Sequence, residues 1–299
     1  QLEESVSKIL LDIKLNGDEA VKKYVLKFDG VELNELLVSE DEIKAAESLV
    51  IDELKAAIAI AKQNIEKFHF SQVQEVEQIE TTPGVICWRK SVGIQKVGLY
   101  IPGGSAPLFS TLLMLGIPAV MAGCRDITVF TPCDKNGKVN PVILYVADLI
   151  GLKNIYKIGG VQAIAAMAYG TASIPQVYKI FGPGNQYVTA AKQIIQQTGV
   201  AIDMPAGPSE VCVYADETSI ASFVAADLLS QAEHGVDSQV FLVALEETFI
   251  EKTQEELEKQ VQLLDRKDLA LQALTNSKAI LVKDGFADAG LTVIGKGES

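Results

Sequence analysis

Apolar residues recur along the chain with two different periods, and the change from one period to the other divides the sequence. Over residues 5–27 and 41–70 they return every three or four positions, which predicts two short helices separated by Gly17 and then one longer helix. Residues 84–89 predict a short hairpin. The first 95 residues are therefore predicted to form a mainly helical segment.

From residue 96 onward, short strand-like runs alternate with helical patterns four times in succession. The strand-like runs read VGLYI, ITVFTP, NIYKIGG and VYKIFGPG, and AIDMP closes the series. The predicted helices between them cover residues 110–122, 141–150, 162–169 and 185–197. Such an alternation predicts a parallel sheet with helices on both faces.

A second alternating series begins after the stretch at residues 205–208. It reads EVCVYAD, a helix over 219–233, QVFLVAL, a long charged helix from 247 to about 274, and AILV. We place the main domain boundary near Pro205 and a second one near Ile94. The predicted fold class is α/β, with residues 1–95 packing against 205–299 and residues 96–204 forming a second domain.

Composition excludes several classes of partner. The 299 residues contain 26 Lys and Arg against 39 Asp and Glu, a formal charge of −13, which would repel a nucleic acid backbone. No apolar run reaches the roughly 20 residues of a membrane span, and no secretory leader pattern is present, so we expect a cytoplasmic protein with no membrane partner. With only two histidines, His69 and His234, this chain alone cannot build a site of several imidazoles.

Four glycine-containing turns follow the predicted strands, at residues 100–105, 159–162, 182–185 and 206–210. In an open parallel sheet, ligands bind beyond the carboxyl ends of the strands, and Gln162 and Asn185 each place a donor and an acceptor there. A dinucleotide would fit this edge. The alternative is that these are only tight strand-to-helix connections, since none of them is a G-x-G-x-x-G motif and no acidic residue ends the next strand.

A second group of candidate residues lies at the end of the helix predicted over 219–233. Gln231 and His234 are three positions apart, so they share a helical face and can point at a common atom. Two ligands do not complete a metal site, and His69 is the only other imidazole. Spacing alone therefore favours a histidine at a helix end over a metal ligand.

Several long motifs together resemble the histidinol dehydrogenase family. They are IDMPAGPSE, DLLSQAEH, VGLYIPGGSAPLFST, GGVQAIAAMAYGT and KIFGPGNQYV, and the similarity extends from about residue 5 to about residue 284. The resemblance implies a zinc- and NAD-dependent oxidoreductase of histidine biosynthesis, which oxidises L-histidinol through the aldehyde to L-histidine. It also implies an intertwined homodimer with one Zn²⁺ per subunit and two incomplete Rossmann-like domains. Residues 96–204 would lie on the NAD side, and residues 1–95 with 205–299 on the zinc and substrate side.

The resemblance also implies roles for particular residues. Three would bind NAD: Tyr100, Gln162 and Asn185. Three would bind the substrate: Ser209, Gln231 and His234. Of these, Gln231 and His234 would also ligate zinc, which reverses the preference drawn from spacing. Zinc suits the amino and imidazole nitrogens of histidinol, so its expected role is to orient the substrate.

The chain departs from the family pattern near its end. Members of the family carry, after the strand matching AILVKD, a Pro-Glu-His segment whose Glu and His act as acid–base catalysts, followed by further zinc and substrate residues. Residues 285–299 contain none of these, so no catalytic residue is assigned. Two hypotheses remain open. One is a histidinol dehydrogenase sequence that lacks its C-terminal part, with a weakened dimer, and the other is a catalytically inactive NAD- or ligand-binding remnant.

Overall fold

A computed structural model describes residues 2–103, 108–205, 210–236 and 238–282. The chain forms two compact units that divide at Pro205, and each is described by itself. None of the helices within these ranges combines the length and the apolarity that crossing a membrane requires.

The chain begins with three helices and a hairpin. The elements are α1 (Leu2–Asp29), α2 (Glu40–Leu49), α3 (Asp52–Phe70), β1 (Gln78–Thr82) and β2 (Val85–Trp88). Gly17 kinks α1 with a φ of 55°, in the left-handed region that favours glycine, which confirms the break predicted there. The single helix predicted over 41–70 is wrong, because Val50 and Ile51 are extended and separate α2 from α3. Both are β-branched, and Val50 is buried in the core rather than continuing the helix.

The first unit is built on a five-stranded parallel sheet. Its strands are β3 (Lys96–Tyr100), β4 (Asp126–Phe130), β5 (Asn154–Tyr156), β6 (Lys179–Phe181) and β7 (Ala201–Ile202). The helices that connect them are α4 (Phe109–Met121), α5 (Pro141–Leu149), α6 (Gly160–Tyr169) and α7 (Gln186–Gln196). The strand order is β5-β4-β3-β6-β7. Within the described residues these strands take the first five places of the Rossmann order 3-2-1-4-5-6, which confirms the predicted α/β class.

Two apolar cores cover the two faces of this sheet. On one face, α1, α6 and α7 bury residues such as Val6, Ile164 and Val188. On the other, α2, α3, α4 and α5 bury residues such as Ile58 and Leu112. The prediction of helices on both faces is therefore confirmed.

The N-terminal helices belong to the first unit, which differs from the expected grouping of residues 1–95 with 205–299. The apolar side of α1 packs on α6 and α7, and α2 packs on α5. A further tie comes from Lys157, which follows β5 and whose Nζ donates to both carboxylate oxygens of Glu42 at 2.9 Å. Together with the four connecting helices, α1, α2 and α3 cover the two faces of the five-stranded sheet.

The second unit contains a three-stranded parallel sheet in the order β10-β9-β8. Its elements are β8 (Glu210–Ala215), α8 (Ala221–Ala232), β9 (Gln239–Ala244), α9 (Glu247–Val261), α10 (Lys267–Thr275) and β10 (Lys278–Leu281). This is half of a Rossmann sheet. The single helix predicted from 247 to about 274 is wrong, because a turn separates α9 from α10. The bend lets Val261, Ala270 and Ala273 enter the same core, which a straight helix of that length could not do.

Candidate functional site

A cavity of about 880 Å³ opens at the carboxyl-terminal edge of the five-stranded sheet. Its lining includes Tyr100, Gln162 and Asn185, together with Asp29 and the backbone of Gly160. The adjacent central strands β3 and β6 lead to helices on opposite sides, so this edge contains the topological switch point at which open α/β sheets bind ligands. The structure thus brings together the three residues that the sequence places on the NAD side, in a cavity of the size typical of small-molecule sites.

Tyr100 is the last residue of β3, and only 4% of it is exposed. Its hydroxyl oxygen accepts a hydrogen bond from the backbone N–H of Gly160, at the start of α6, at 3.0 Å. Burial raises the pKa of Tyr100, the Gly160 N–H opposes that rise, and the Asp29 carboxylate adds to it. The phenol therefore stays protonated near neutral pH and keeps a hydrogen that it can donate to a ligand.

Gln162 lies in the first turn of α6 and is 1% exposed. Its Nε2 donates to Oδ2 of Asp29 at 3.5 Å, whereas its Oε1 is buried and has no hydrogen-bond partner. A buried acceptor without a partner costs about 1–3 kcal/mol, and native structures contain few of them. Because Gln162 also lines the cavity, its unpaired oxygen is a candidate acceptor for a donor group of a ligand.

Asn185 caps the N-terminus of α7. Its Oδ1 accepts from the backbone N–H groups of Tyr187 at 3.0 Å and Val188 at 3.1 Å. The side-chain oxygen is thus committed to the helix, and the amide nitrogen is left to donate to a ligand. The helix start adds a positive electrostatic potential, which favours anionic groups such as phosphates.

Two residues of this cavity have no signal in the sequence patterns. Asp29 comes from the end of α1, 133 positions away from Gln162, so only the packing of α1 on α6 brings it here. Burial raises the pKa of the Asp29 carboxyl, and the Gln162 amide partly offsets this. Tyr187, two positions after the helix cap, places a half-exposed ring on the cavity wall.

The other candidate residues belong to the second unit. Gln231 lies in the last turn of α8, and His234 follows the end of that helix with its backbone N–H donating to the carbonyl of Gln231 at 3.1 Å. The Gln231 side chain is 7% exposed and its Nε2 has no partner, whereas His234 is exposed. Ser209 lies outside the described residues. Within the described ranges, no three His, Cys, Asp or Glu side chains form a cluster that could hold a metal ion.

The strand order, the turns and the cavity at the switch point define the first unit as a doubly wound α/β unit with a ligand site at its carboxyl edge. A family model described as histidinol dehydrogenase matches residues 1–292. The chain belongs to the histidinol dehydrogenase family, which confirms the resemblance carried by its motifs.

Individual relatives show the same similarity. A histidinol dehydrogenase from Bacteroides thetaiotaomicron is 58% identical over 281 residues, which cover 94% of this chain and 66% of the relative. One from Xanthomonas oryzae pv. oryzae is 50% identical over 284 residues, covering 95% and 66%. The crystal structure of histidinol dehydrogenase from Elizabethkingia anophelis superposes with a TM-score of 0.92 at 57% identity, covering 95% of this chain and 66% of that one. The chain thus spans 66% of the length of these relatives.

Proposed function

We propose that this chain carries the NAD site and part of the zinc and substrate site of a histidinol dehydrogenase. The reaction is the oxidation of L-histidinol through the aldehyde to L-histidine, in two NAD-dependent steps of histidine biosynthesis, by a cytoplasmic homodimer. The observation that carries the proposal is the single cavity that gathers Tyr100, Gln162 and Asn185 at the switch point of the sheet. The choice of L-histidinol as the substrate rests on membership in the histidinol dehydrogenase family.

Three side chains of the cavity offer complementary hydrogen bonds to NAD. The protonated Tyr100 hydroxyl and the Asn185 amide nitrogen are donors, and Oε1 of Gln162 is a buried acceptor without a partner. A dinucleotide presents both amide or hydroxyl donors and phosphate acceptors, so this set fits it. When bound, NAD accepts a hydride in each oxidation step.

In the second unit, Gln231 and His234 are proposed to hold zinc. An imidazole nitrogen is a common zinc ligand, whereas the carboxamide oxygen that Gln231 would supply is a harder donor. Zinc would take the Oε1 oxygen of Gln231, and the buried Nε2, which has no partner in the protein, would remain to donate a hydrogen bond to the substrate. Zinc would orient the nitrogens of histidinol, and Ser209 is proposed to contact the substrate beside it. The remaining zinc ligands would have to come from outside the described residues.

Oxidation of the alcohol also needs a base that removes the hydroxyl proton as the hydride leaves. The 299 residues contain no Pro-Glu-His segment, and we assign this role to none of them.

The expected base can be sought in the coding sequence beyond the codon for Asp284. Reading that sequence in all three frames is expected to reveal a Pro-Glu-His motif if the chain is part of a histidinol dehydrogenase. Absence of the motif from every frame, together with no histidinol-dependent NADH formation, would contradict the proposed reaction.

The ligand assignments are tested on the purified chain itself. Titration with NAD is expected to show one site per chain. Added Zn²⁺, which Gln231 and His234 alone would hold weakly, is expected to bind less tightly when Gln231→Ala and His234→Ala are combined. Zn²⁺ affinity that does not change in that double variant would show that the two residues are not ligands. Failure of the wild-type chain to bind NAD would contradict the proposed function.

A further inference from the structure

The backbone of Gly182, immediately after β6, is held by two charged side chains. Nζ of Lys192, on α7, donates to the Gly182 carbonyl at 2.8 Å, and the Gly182 N–H donates to Oδ2 of Asp203 at 2.8 Å. Lys192 and Asp203 also form an ion pair with each other. These three contacts link Lys192, Asp203 and both backbone polar groups of Gly182 in a closed ring. We refer to this arrangement as the Gly182 clamp.

The charges of the Gly182 clamp are poorly exposed to water. The side chain of Lys192 is 6% exposed and that of Asp203 is 28% exposed. Removing an ammonium group from water is costly, and apolar residues of similar volume in place of a buried ion pair are often equally or more stabilising. Stability alone therefore gives little reason for a lysine at this position. A hydrogen bond to the Gly182 carbonyl does give a reason, because an apolar side chain of similar length could not donate one.

The position that the clamp holds lies between two residues of the cavity. Gly182 has a φ of 132°, and a Cβ atom there would collide with the backbone carbonyl oxygen of Tyr100. Three positions further on, Asn185 caps α7. Fixing the peptide at Gly182 therefore fixes the start of the turn at residues 182–185 against the end of β3, where Tyr100 lies.

We propose that Lys192 and Asp203 are positioning residues of the cofactor site. By holding Gly182, they keep the Asn185 amide and the N-terminal end of α7 in register with the Tyr100 hydroxyl across the cavity. Neither side chain lines the cavity, and neither is proposed to contact the cofactor. The inference rests on the proposed NAD site and adds two residues that act on it through the backbone.

The test separates positioning from stability by using three variants of the 299-residue chain. Lys192→Met leaves Asp203 without its partner and Gly182 without its donor, so both the melting temperature and the NAD affinity should fall, the affinity by about tenfold. Lys192→Met combined with Asp203→Asn removes both charges together. We expect the melting temperature to recover toward that of the wild type, while the dissociation constant for NAD stays raised by about tenfold because the Gly182 carbonyl still lacks its donor.

The control is Glu42→Gln, which breaks the comparable Lys157–Glu42 pair elsewhere in the first unit, at a residue that is not among those lining the cavity. It should lower the melting temperature and leave the NAD dissociation constant within about twofold of the wild-type value. Calorimetric titration with NAD and thermal unfolding give both quantities for each variant.

Two results would overturn the positioning role while leaving the proposed function intact. One is an unchanged NAD dissociation constant in Lys192→Met. The other is a double variant in which NAD affinity returns to the wild-type value together with the melting temperature. If the wild-type chain binds no NAD, the proposed function fails and the positioning role fails with it.

Discussion

At the residue scale, the buried carboxamide of Gln162 is a binding group that contributes little to the stability of the fold. Replacing Gln162 by leucine removes an acceptor that has no partner in the protein, and with it only the long 3.5 Å hydrogen bond from Nε2 to Asp29. We expect Gln162→Leu to leave the free energy of unfolding unchanged or raise it by up to about 1 kcal/mol, and to weaken NAD binding about tenfold. Chemical denaturation and calorimetric titration measure the two effects.

The matched control for this variant is Gln176→Leu. The Nε2 of Gln176 donates to the carbonyl of Ala168 at 2.8 Å, so this glutamine is used by the fold. Its loss should cost stability and not affect NAD binding. Equal losses of NAD affinity in the two variants would contradict the role given to Gln162.

Tyr100 serves both the stability of the fold and the binding of NAD, because its hydroxyl accepts a backbone hydrogen bond and Tyr100 also lines the cavity. Tyr100→Phe leaves the Gly160 N–H without its acceptor, which should cost about 1–2 kcal/mol of stability, and it removes a donor to NAD. Tyr156→Phe is the control, since the Tyr156 hydroxyl donates to the Ser173 carbonyl at 3.0 Å and does not line the cavity. We expect thermal unfolding to register both variants and NAD titration to register only Tyr100→Phe. An effect of Tyr156→Phe on NAD affinity as large as that of Tyr100→Phe would argue against a direct contact.

At the scale of elements, the start of α2 shows a complete local signal. Ser39 caps the helix by accepting from the backbone N–H of Glu42, the Glu42 carboxylate accepts from the backbone N–H of Ser39, and Glu42 also pairs with Lys157. Burial by itself would raise the pKa of Glu42, but Lys157 and the Ser39 backbone N–H outweigh it and hold the pKa below its ordinary value of 4.5.

This lowered pKa predicts a pH dependence of stability with a definite sign. The stabilisation that ionised Glu42 contributes is fully present above pH 4.5 and is lost as the pH falls through the lower pKa of the folded state. Urea unfolding between pH 3 and pH 6 should therefore show a shallower acid loss in Glu42→Gln than in the wild type. Glu40→Gln, at an exposed position of the same helix turn, is the control. A slope unchanged by Glu42→Gln would contradict the pairing.

The elements themselves were predictable where the pattern is local and not where packing decides. The strands of the five-stranded sheet are short apolar runs bounded by turns, and the sequence pattern locates all five of them. The breaks after Leu49 and after Val261 are different, because the residues on both sides of each break follow a helical period. Only the burial of Val50 in one core and of Ala270 in another requires the chain to bend there.

At the scale of the whole molecule, some residues of the candidate site could be predicted from the sequence and others could not. The carboxyl ends of parallel strands meet at one edge of a sheet, so sequence order alone predicts that Tyr100, Gln162 and Asn185 lie near one another. Asp29 could not be predicted, because it reaches the cavity through the packing of α1 on α6. The grouping of the N-terminal helices with the first sheet is likewise decided by shared apolar faces, which sequence periodicity does not pair.

The division into two units predicts that NAD binding belongs to the first. All three proposed NAD residues lie within residues 1–205. We expect a fragment of these residues to unfold cooperatively and to bind NAD with a dissociation constant within about threefold of that of the whole chain. Circular dichroism and calorimetric titration test this. A folded fragment without NAD affinity would show that the second unit supplies an essential part of the site.

The central claim is that the cavity at the switch point of the first sheet is the NAD site. A crystal structure of the chain with NAD tests it most directly. The expected result is NAD at the carboxyl ends of β3 and β6, with a donor of the dinucleotide within hydrogen-bonding distance of Oε1 of Gln162. NAD bound elsewhere, with that oxygen still unpaired, would contradict the account.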